Sequence, residues 1–211
     1  MGDPNTQIQN LSVAGRYTSG FITDGKFLKF GSPFPQSSTA LRGLELSLDF
    51  TQSPSDLPGN AKSRRVGQLA LMYYYGRSDD HFDESDLPLG DNPLAGLIRF
   101  DATRVARSHF LMAEWRWPLF SPVYQGKHFR FIQPQYSLGL GGMYIRANVK
   151  QDSDEQVVDK LASYVTGSTQ LRLVECAWGR LALSLEASVR MLAGQTYGIM
   201  AETGLRLTYR R

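Results

Sequence analysis

Three histidines, a single cysteine and two acidic runs are the residues of this 211-residue chain that first suggest chemistry. Ser108 and His109 stand side by side, and His109 lies five residues before Glu114. A serine activated by a histidine that a carboxylate orients is the pattern of nucleophilic acyl transfer. Neighbours in a strand point to opposite faces, so this pair cannot share a hydrogen bond without a bulge. His81 lies within Asp79-Asp80-His81-Phe82-Asp83-Glu84-Ser85-Asp86, and with Asp91 the segment holds six acids in thirteen residues. Oxygen ligands of this kind suit a hard divalent cation. The run lacks the glycine and spacing of a calcium loop, however, and reads as a solvated surface segment. Gly139-Leu140-Gly141-Gly142 falls inside a strand pattern with no helix after it, so it is not a phosphate loop. Glycines there relieve crowding or permit curvature. Cys176 shares a parity with Arg172 and Val174; alone, it excludes an internal disulfide and a cysteine-cluster metal site. From these residues no catalytic group, metal or cofactor is expected.

A second set of charges is more regular. Arg16, Glu45, Asp49, Glu114, Arg116, Arg172, Glu186, Arg190, Glu202 and Arg206 are five arginines and five acids, each on the polar side of an alternating segment. The six lysines (Lys26, Lys29, Lys62, Lys127, Lys150, Lys160) fall in loops or at strand ends instead. Arginine without lysine is expected where guanidinium and carboxylate pair away from bulk water.

The elements that must hold these charges are strands. Period-two alternation is the main signal along the chain. It is clear over 11–21, 44–50 and 66–75, where Leu44, Leu46, Leu48 and Phe50 oppose Glu45, Ser47 and Asp49. It returns at 111–117, over 129–148, at 165–173, at 181–191 and at 197–209, which makes eight strands. Residues 96–107 also alternate, but their parity slips, which predicts a bulge or a change of environment. Gln156–Ala162 is compatible with a short helical turn. Pro134 argues against a central strand at its position. No repeat, linker or low-complexity tract interrupts the rhythm, so residues 1–211 read as a single β-barrel domain.

The direction of the alternation sets the class. In a soluble barrel the apolar face fills the interior; in a membrane barrel it meets lipid and the polar face fills the lumen. The balanced, lysine-free polar faces favour the second. With the N-terminus on the inner side, Phe50, Trp115, Trp117 and Tyr209 fall near the inner rim, and Tyr73, Tyr75, Tyr144 and Tyr197 near the outer rim. Two aromatic belts of this kind mark membrane interfaces. Asp79–Asp91 and the acids Asp152, Asp154, Glu155 and Asp159 fall in outer connections, while Lys62, Arg64, Arg65, Lys127, Arg210 and Arg211 fall on the inner side. Outer connections after the first and third strands are long, and the inner turn Trp178-Gly179-Arg180 is tight, as membrane barrels have them.

Composition bounds the rest. At 42% hydrophobic residues the chain is no solvated tail, and a net charge of +3 gives no reason to expect a nucleic-acid partner. No apolar run reaches the roughly 18 residues of a membrane helix. Met1-Gly2-Asp3-Pro4-Asn5 is not a secretory signal. Because the body reads as an envelope barrel, the expectation is a mature sequence whose signal has been removed.

The last strand ends Glu202-Thr203-Gly204-Leu205-Arg206-Leu207-Thr208-Tyr209. This resembles the terminal signal of outer-membrane barrels: a polar residue, then glycine, then two hydrophobic residues at alternate positions. It departs from the commonest bacterial form, which ends on an aromatic residue, because Arg210 and Arg211 follow. The whole chain resembles the small eight-stranded outer-membrane proteins, such as the outer membrane protein A barrel and the X-type barrels. The resemblance implies an all-β, antiparallel up-and-down transmembrane barrel in the outer membrane of a Gram-negative cell envelope. It also implies contact with the lipid bilayer and lipopolysaccharide, and with the barrel-insertion machinery through the C-terminal strand. An eight-stranded lumen is filled by side chains, so the expected role is structural or surface interaction through the long outer loops. The alternatives are a channel for small or hydrophobic solutes and an enzyme acting on lipid A. Small-barrel lipid A deacylases place their serine and histidine one residue apart, whereas Ser108 and His109 are adjacent.

Overall fold

A computed structural model describes residues 6–24, 38–52, 64–82, 102–119, 123–151 and 154–210. All regular structure among them is β: β1 (Thr6–Asp24), β2 (Ser38–Gln52), β3 (Arg64–Phe82), β4 (Ala102–Pro118), β5 (Tyr124–Gln125), β6 (Phe129–Gln151), β7 (Asp154–Trp178), β8 (Leu181–Gly194) and β9 (Thr196–Arg210). Each long strand pairs antiparallel with its neighbours. The pairings β1–β9 and β4–β6 leave eight strands in one closed barrel, and the two-residue β5 adds to the start of β6. Closure leaves no sheet edge along the barrel wall.

The register fixes the barrel's dimensions. From Arg16, backbone partners lead through β2, β3, β4 and β6 to Ala162 of β7. In the other direction they lead through β9 and β8 to Arg172, ten residues further along the same strand. With eight strands about 4.8 Å apart and about 3.3 Å per residue, this shear gives a tilt of about 40° and a backbone radius of about 8 Å. A lumen of that radius holds side chains and little else.

Four strands continue past the rest at the end away from the termini. The last β7–β8 pair is Tyr164 with Gly194, and the last β2–β3 pair is Leu41 with Gly76. Residues 154–162 of β7 and 77–82 of β3 lie beyond those pairs. Together with β4 and β6 they form a four-stranded extension above the rim.

Several expectations are corrected here. Residues 102–107 carry no bulge, since β4 pairs without interruption with both β3 and β6; the other expectation, a change of environment, fits their place in the extension, and residues 96–101 lie outside the described residues. Residues 156–162 are strand rather than helical turn, and Asp154, Glu155 and Asp159 are strand residues of β7 rather than loop. Asp79, Asp80 and His81 likewise belong to β3, while Asp83, Glu84, Asp86, Asp91 and Asp152 lie outside the described residues. Pro134 sits within β6. Its carbonyl accepts from Leu119 N at 3.0 Å, just past the last β4 partner, Pro118 opposite Gln135. The donor that proline lacks therefore faces the end of the ladder, where its absence costs little.

Cys176 does not share the inward parity of Arg172. Between Arg172 and Val174 the β7–β8 register shifts by one residue, so Glu175 turns inward and Cys176 stands opposite Leu183 on the outward face. One inserted residue reverses every side chain beyond it.

Candidate functional site

The barrel is apolar outside and charged inside. Leu44, Leu111, Leu138, Leu140, Val165, Leu183 and Leu205 are exposed; Leu140 has 67% of its surface open. Arg116, Arg190 and Arg206 are at most 2% exposed and are the largest fully buried side chains. A folded chain in water does not choose this arrangement.

The inward charges form a connected network. Arg116 grips Glu45 with two parallel hydrogen bonds, from Nη1 at 2.6 Å and Nη2 at 2.9 Å. Arg206 donates to Glu45 at 2.6 Å, to Ser47 at 2.5 Å, and to the two oxygens of Glu186 at 2.7 and 2.9 Å. Arg16 bridges the same two carboxylates, through Nε to Glu45 and through Nη2 to Glu186 at 2.9 Å. Arg172 reaches Glu186 at 3.1 Å, and Gln170 reaches it at 2.8 Å. Glu202 accepts from Arg190 at 2.7 and 3.2 Å, from Ser188 at 2.8 Å and from the hydroxyl of Tyr74 at 3.0 Å. Arg190 also pairs with Glu114, which accepts from Ser137 at 3.1 Å and Thr166 at 3.0 Å. Asp49 accepts from Gln68 at 2.7 Å and Asn10 at 3.0 Å. The ten charged residues read from the sequence thus all lie in the lumen, and nine of them are joined by ion pairs around Glu45, Glu186 and Glu202.

Glu175 is the carboxylate that the sequence reading missed. Buried by the bulge, it accepts from Arg172 at 2.9 Å and Arg210 at 2.6 Å, and lies 3.6 Å from Arg130. It ties β6, β7 and β9 together at the termini end.

The lumen has a second tier that the expectation of a polar interior did not include. Leu41, Met72, Tyr74, Phe110, Met112, Met143, Ala162, Tyr164, Leu192 and Met200 form one buried apolar cluster. On their strands these residues lie mainly toward the end away from the termini, beyond the ionic network. Met72 joins the tiers: Arg116 and Arg190 approach its sulfur at 3.3 and 3.4 Å. Gly43 and Gly141 leave room for the rings of Tyr74 and Tyr164, which a Cβ at either position would overlap. The parity of Met72, Tyr74 and Met112 already places them inside. Their apolar character was the available signal.

Outward aromatics gather at two heights. Near the termini end Phe50 stacks on Trp115 at 5.5 Å, Trp117 lies edge-on to Trp115 at 6.4 Å, and Trp117 stacks on Tyr136 at 5.1 Å. Tyr209 lies on the same side, and Arg180 donates to its hydroxyl at 3.4 Å. Near the other rim Tyr73, Tyr75 and Tyr144 surround His109, whose Nδ1 lies 2.8 Å from the Tyr73 hydroxyl. Tyr197 lies on β9 opposite Thr23, and its side chain falls outside the described ones. Ser108 is buried in the lumen while His109 faces outward, so the two make no nucleophile–base pair, and Glu114 is engaged by arginine.

In structure the chain is similar to the attachment invasion locus protein Ail of Yersinia pestis, at 8% identity over 96% of this chain and 100% of that one, with a TM-score of 0.44. It is similar to the N-terminal β-barrel domain of OprF from Pseudomonas aeruginosa, at 14% identity over 96% and 100%, with a TM-score of 0.43. A major outer membrane protein of Thermus thermophilus is similar at 11% identity over 95% and 99%, with a TM-score of 0.39. At these identities the likeness is one of fold alone. No family model matches the chain, and no curated protein matches it in sequence.

Proposed function

We propose that the chain is an outer-membrane barrel with a sealed lumen, a structural and surface-interaction protein whose contacts are made by its outer end. The apolar exterior bounded by aromatic clusters supports the location, because only lipid rewards that distribution. The single observation that carries the role is the double seal. Side chains of the ionic tier span the lumen from β2 to β8, and a methionine-rich apolar tier closes it again beyond. A solute would have to break both. With passage closed, the surface left to act is the four-stranded extension and the segments that join its strands.

Planar bilayers holding the folded protein test the seal. The expected result is silence under applied voltage; a steady ohmic conductance would instead establish the small-solute channel. The surface role is tested on cells displaying the chain with residues 78–106 and 148–157 each replaced by a short turn. The shortened barrel should insert normally and lose adhesion to immobilised glycan and protein surfaces. Undiminished adhesion would end the interaction reading.

A further inference from the structure

The outward face carries a row of arginines that neither the lumen nor the apolar band uses. Arg77 of β3 stands opposite Arg107 of β4, and Arg107 stands opposite Arg146 of β6. Two residues nearer the barrel's middle, the same three strands present Tyr75, His109 and Tyr144 in a second row. Arg42 of β2 stands opposite Tyr75, one strand further round. All four arginines are exposed. Arg107 and Arg146, with Val105 and Asn148, line a recess of about 220 Å³.

Like charges set directly opposite on neighbouring strands destabilise a sheet. Here one described carboxylate stands at the level of the row: Asp159, on β7 opposite Arg146, at 3.9 Å. Its Oδ1 is shared with the hydroxyl of Tyr144 at 2.9 Å. Arg77 has an interaction of its own within the protein. Arg107 makes no ion pair among the described residues. The strands therefore hold more cationic charge in this place than the described side chains neutralise, a local conflict that a bound anion removes.

Position and chemistry identify the anion. Interfacial tyrosines mark the headgroup level. Arg42 stands at their level, and Arg77, Arg107 and Arg146 lie two residues beyond them, about 7 Å along the strand, where the first charged groups outside the hydrocarbon sit. Guanidinium forks match phosphate oxygens two at a time, which lysine does not do. The residues of the recess have the outward parity of His109 and Tyr144, opposite to that of Ser108, which is buried in the lumen. We propose that Arg107 and Arg146, flanked by Arg77 and Arg42, clamp the phosphate groups of an anionic glycolipid of the outer leaflet, with the Tyr75–His109–Tyr144 row beneath its sugars. This proposal rests on the outer-membrane reading above.

Lipid A is the probe. The protein, folded in detergent, is titrated with bisphosphorylated lipid A and with the same lipid enzymatically freed of phosphate, and retention is read by native mass spectrometry. Wild type should hold the phosphorylated form about a hundredfold more tightly, about tenfold for each of the two arginines. Arg107→Gln with Arg146→Gln should remove that preference, and Arg107→Gln alone should weaken it by about tenfold, one charge-assisted contact's worth. Arg180→Gln, at the opposite end, should change nothing. Heat-modifiable migration on gels checks that each variant is folded. A variant pair that binds phosphorylated lipid A like wild type overturns the proposal, as does a wild type blind to the phosphates. Full competition by millimolar inorganic phosphate also overturns it, since the site would then be one for free anions. A wild type that shows no heat-modifiable migration and stays soluble without detergent refutes the outer-membrane reading itself, and is told apart from these by needing no lipid.

Discussion

Arg190→Met is the substitution that most sharply tests the ionic lumen. Arg190 is 1% exposed and serves two carboxylates, Glu202 through two hydrogen bonds and Glu114 through an ion pair. Methionine keeps an unbranched, flexible stem but is about two atoms shorter and carries no charge. Glu202 would keep Ser188 and Tyr74, but its nearest remaining guanidinium, that of Arg16, is 3.7 Å away. Glu114 would keep Ser137, Thr166 and an Arg116 contact of 3.6 Å. Removing one partner of a buried pair costs about 3–5 kcal/mol. At about 2–4 °C per kcal/mol for a chain of this size, Tm falls by about 6–20 °C. The assay is the temperature at which the fast-migrating folded band disappears from gels, supported by urea unfolding in lipid vesicles. Adding Glu202→Gln to Arg190→Met should recover part of the loss, because the stranded charge is gone. Coupling of about 1–3 kcal/mol is the expected scale. A single variant within about 0.5 kcal/mol of wild type, or a double variant that is simply the sum of its parts, would refute the claim that these charges are held by one another.

Leu205→Arg places a charge on the outward face and should cost about 2–4 kcal/mol if it meets the middle of a bilayer. Insertion yield into vesicles measures it, and normal insertion would count against lipid on that face. Gly139→Ala should impair folding, since the new Cβ would overlap the Ala113 carbonyl and Glu114, whereas Gly15→Ala meets nothing and should be neutral. Equal folding yields would show that the close approach of β4 and β6 is not real. Glu175→Ala should destabilise by about 1–3 kcal/mol, because Arg210 and buried Arg172 each lose a carboxylate partner while Arg172 keeps Glu186, while Cys176→Ser should change stability little; urea midpoints that rank these two the other way would place the bulge wrongly.

Much of the wall was legible because lipid and lumen enforce strict alternation. Over Leu44–Phe50 and Leu181–Met191 the sequence parity assigns every side chain to the face on which it lies. Legibility fails where that two-sided demand stops. Gln156–Ala162 lies beyond the last β7–β8 pair, carries no clean period-two signature and looks helical although its pairing with β6 is continuous. It fails again at Leu173, where one extra residue in β7 exchanges the roles of Glu175 and Cys176. Nothing in the residue types announces the insertion. Ile132 of β6, opposite that bulge, adopts a φ of 52°, a conformation a β-branched residue gives no reason to expect.

The two tiers of the lumen make sense only together. Against a lipid surround, an apolar side chain gains little by moving inward, since hydrocarbon already receives it well. Hydrophobic transfer therefore does not explain why Phe110, Met112, Met143 and Met200 are inside. What they do is exclude water from one side of the network, and every Coulombic contact in the network strengthens as local polarity falls. The network, for its part, joins residues far apart in sequence: Arg206 on β9 to Glu45 on β2 and Glu186 on β8, and Arg190 on β8 to Glu114 on β4 across the lumen. A slip of one residue in any of these strands would turn a buried charge toward lipid and leave its partners unpaired. The ion pairs therefore act as a register device for a barrel that hydrophobic burial alone would hold less specifically, and the apolar tier is what makes that device strong enough to close the barrel in one register.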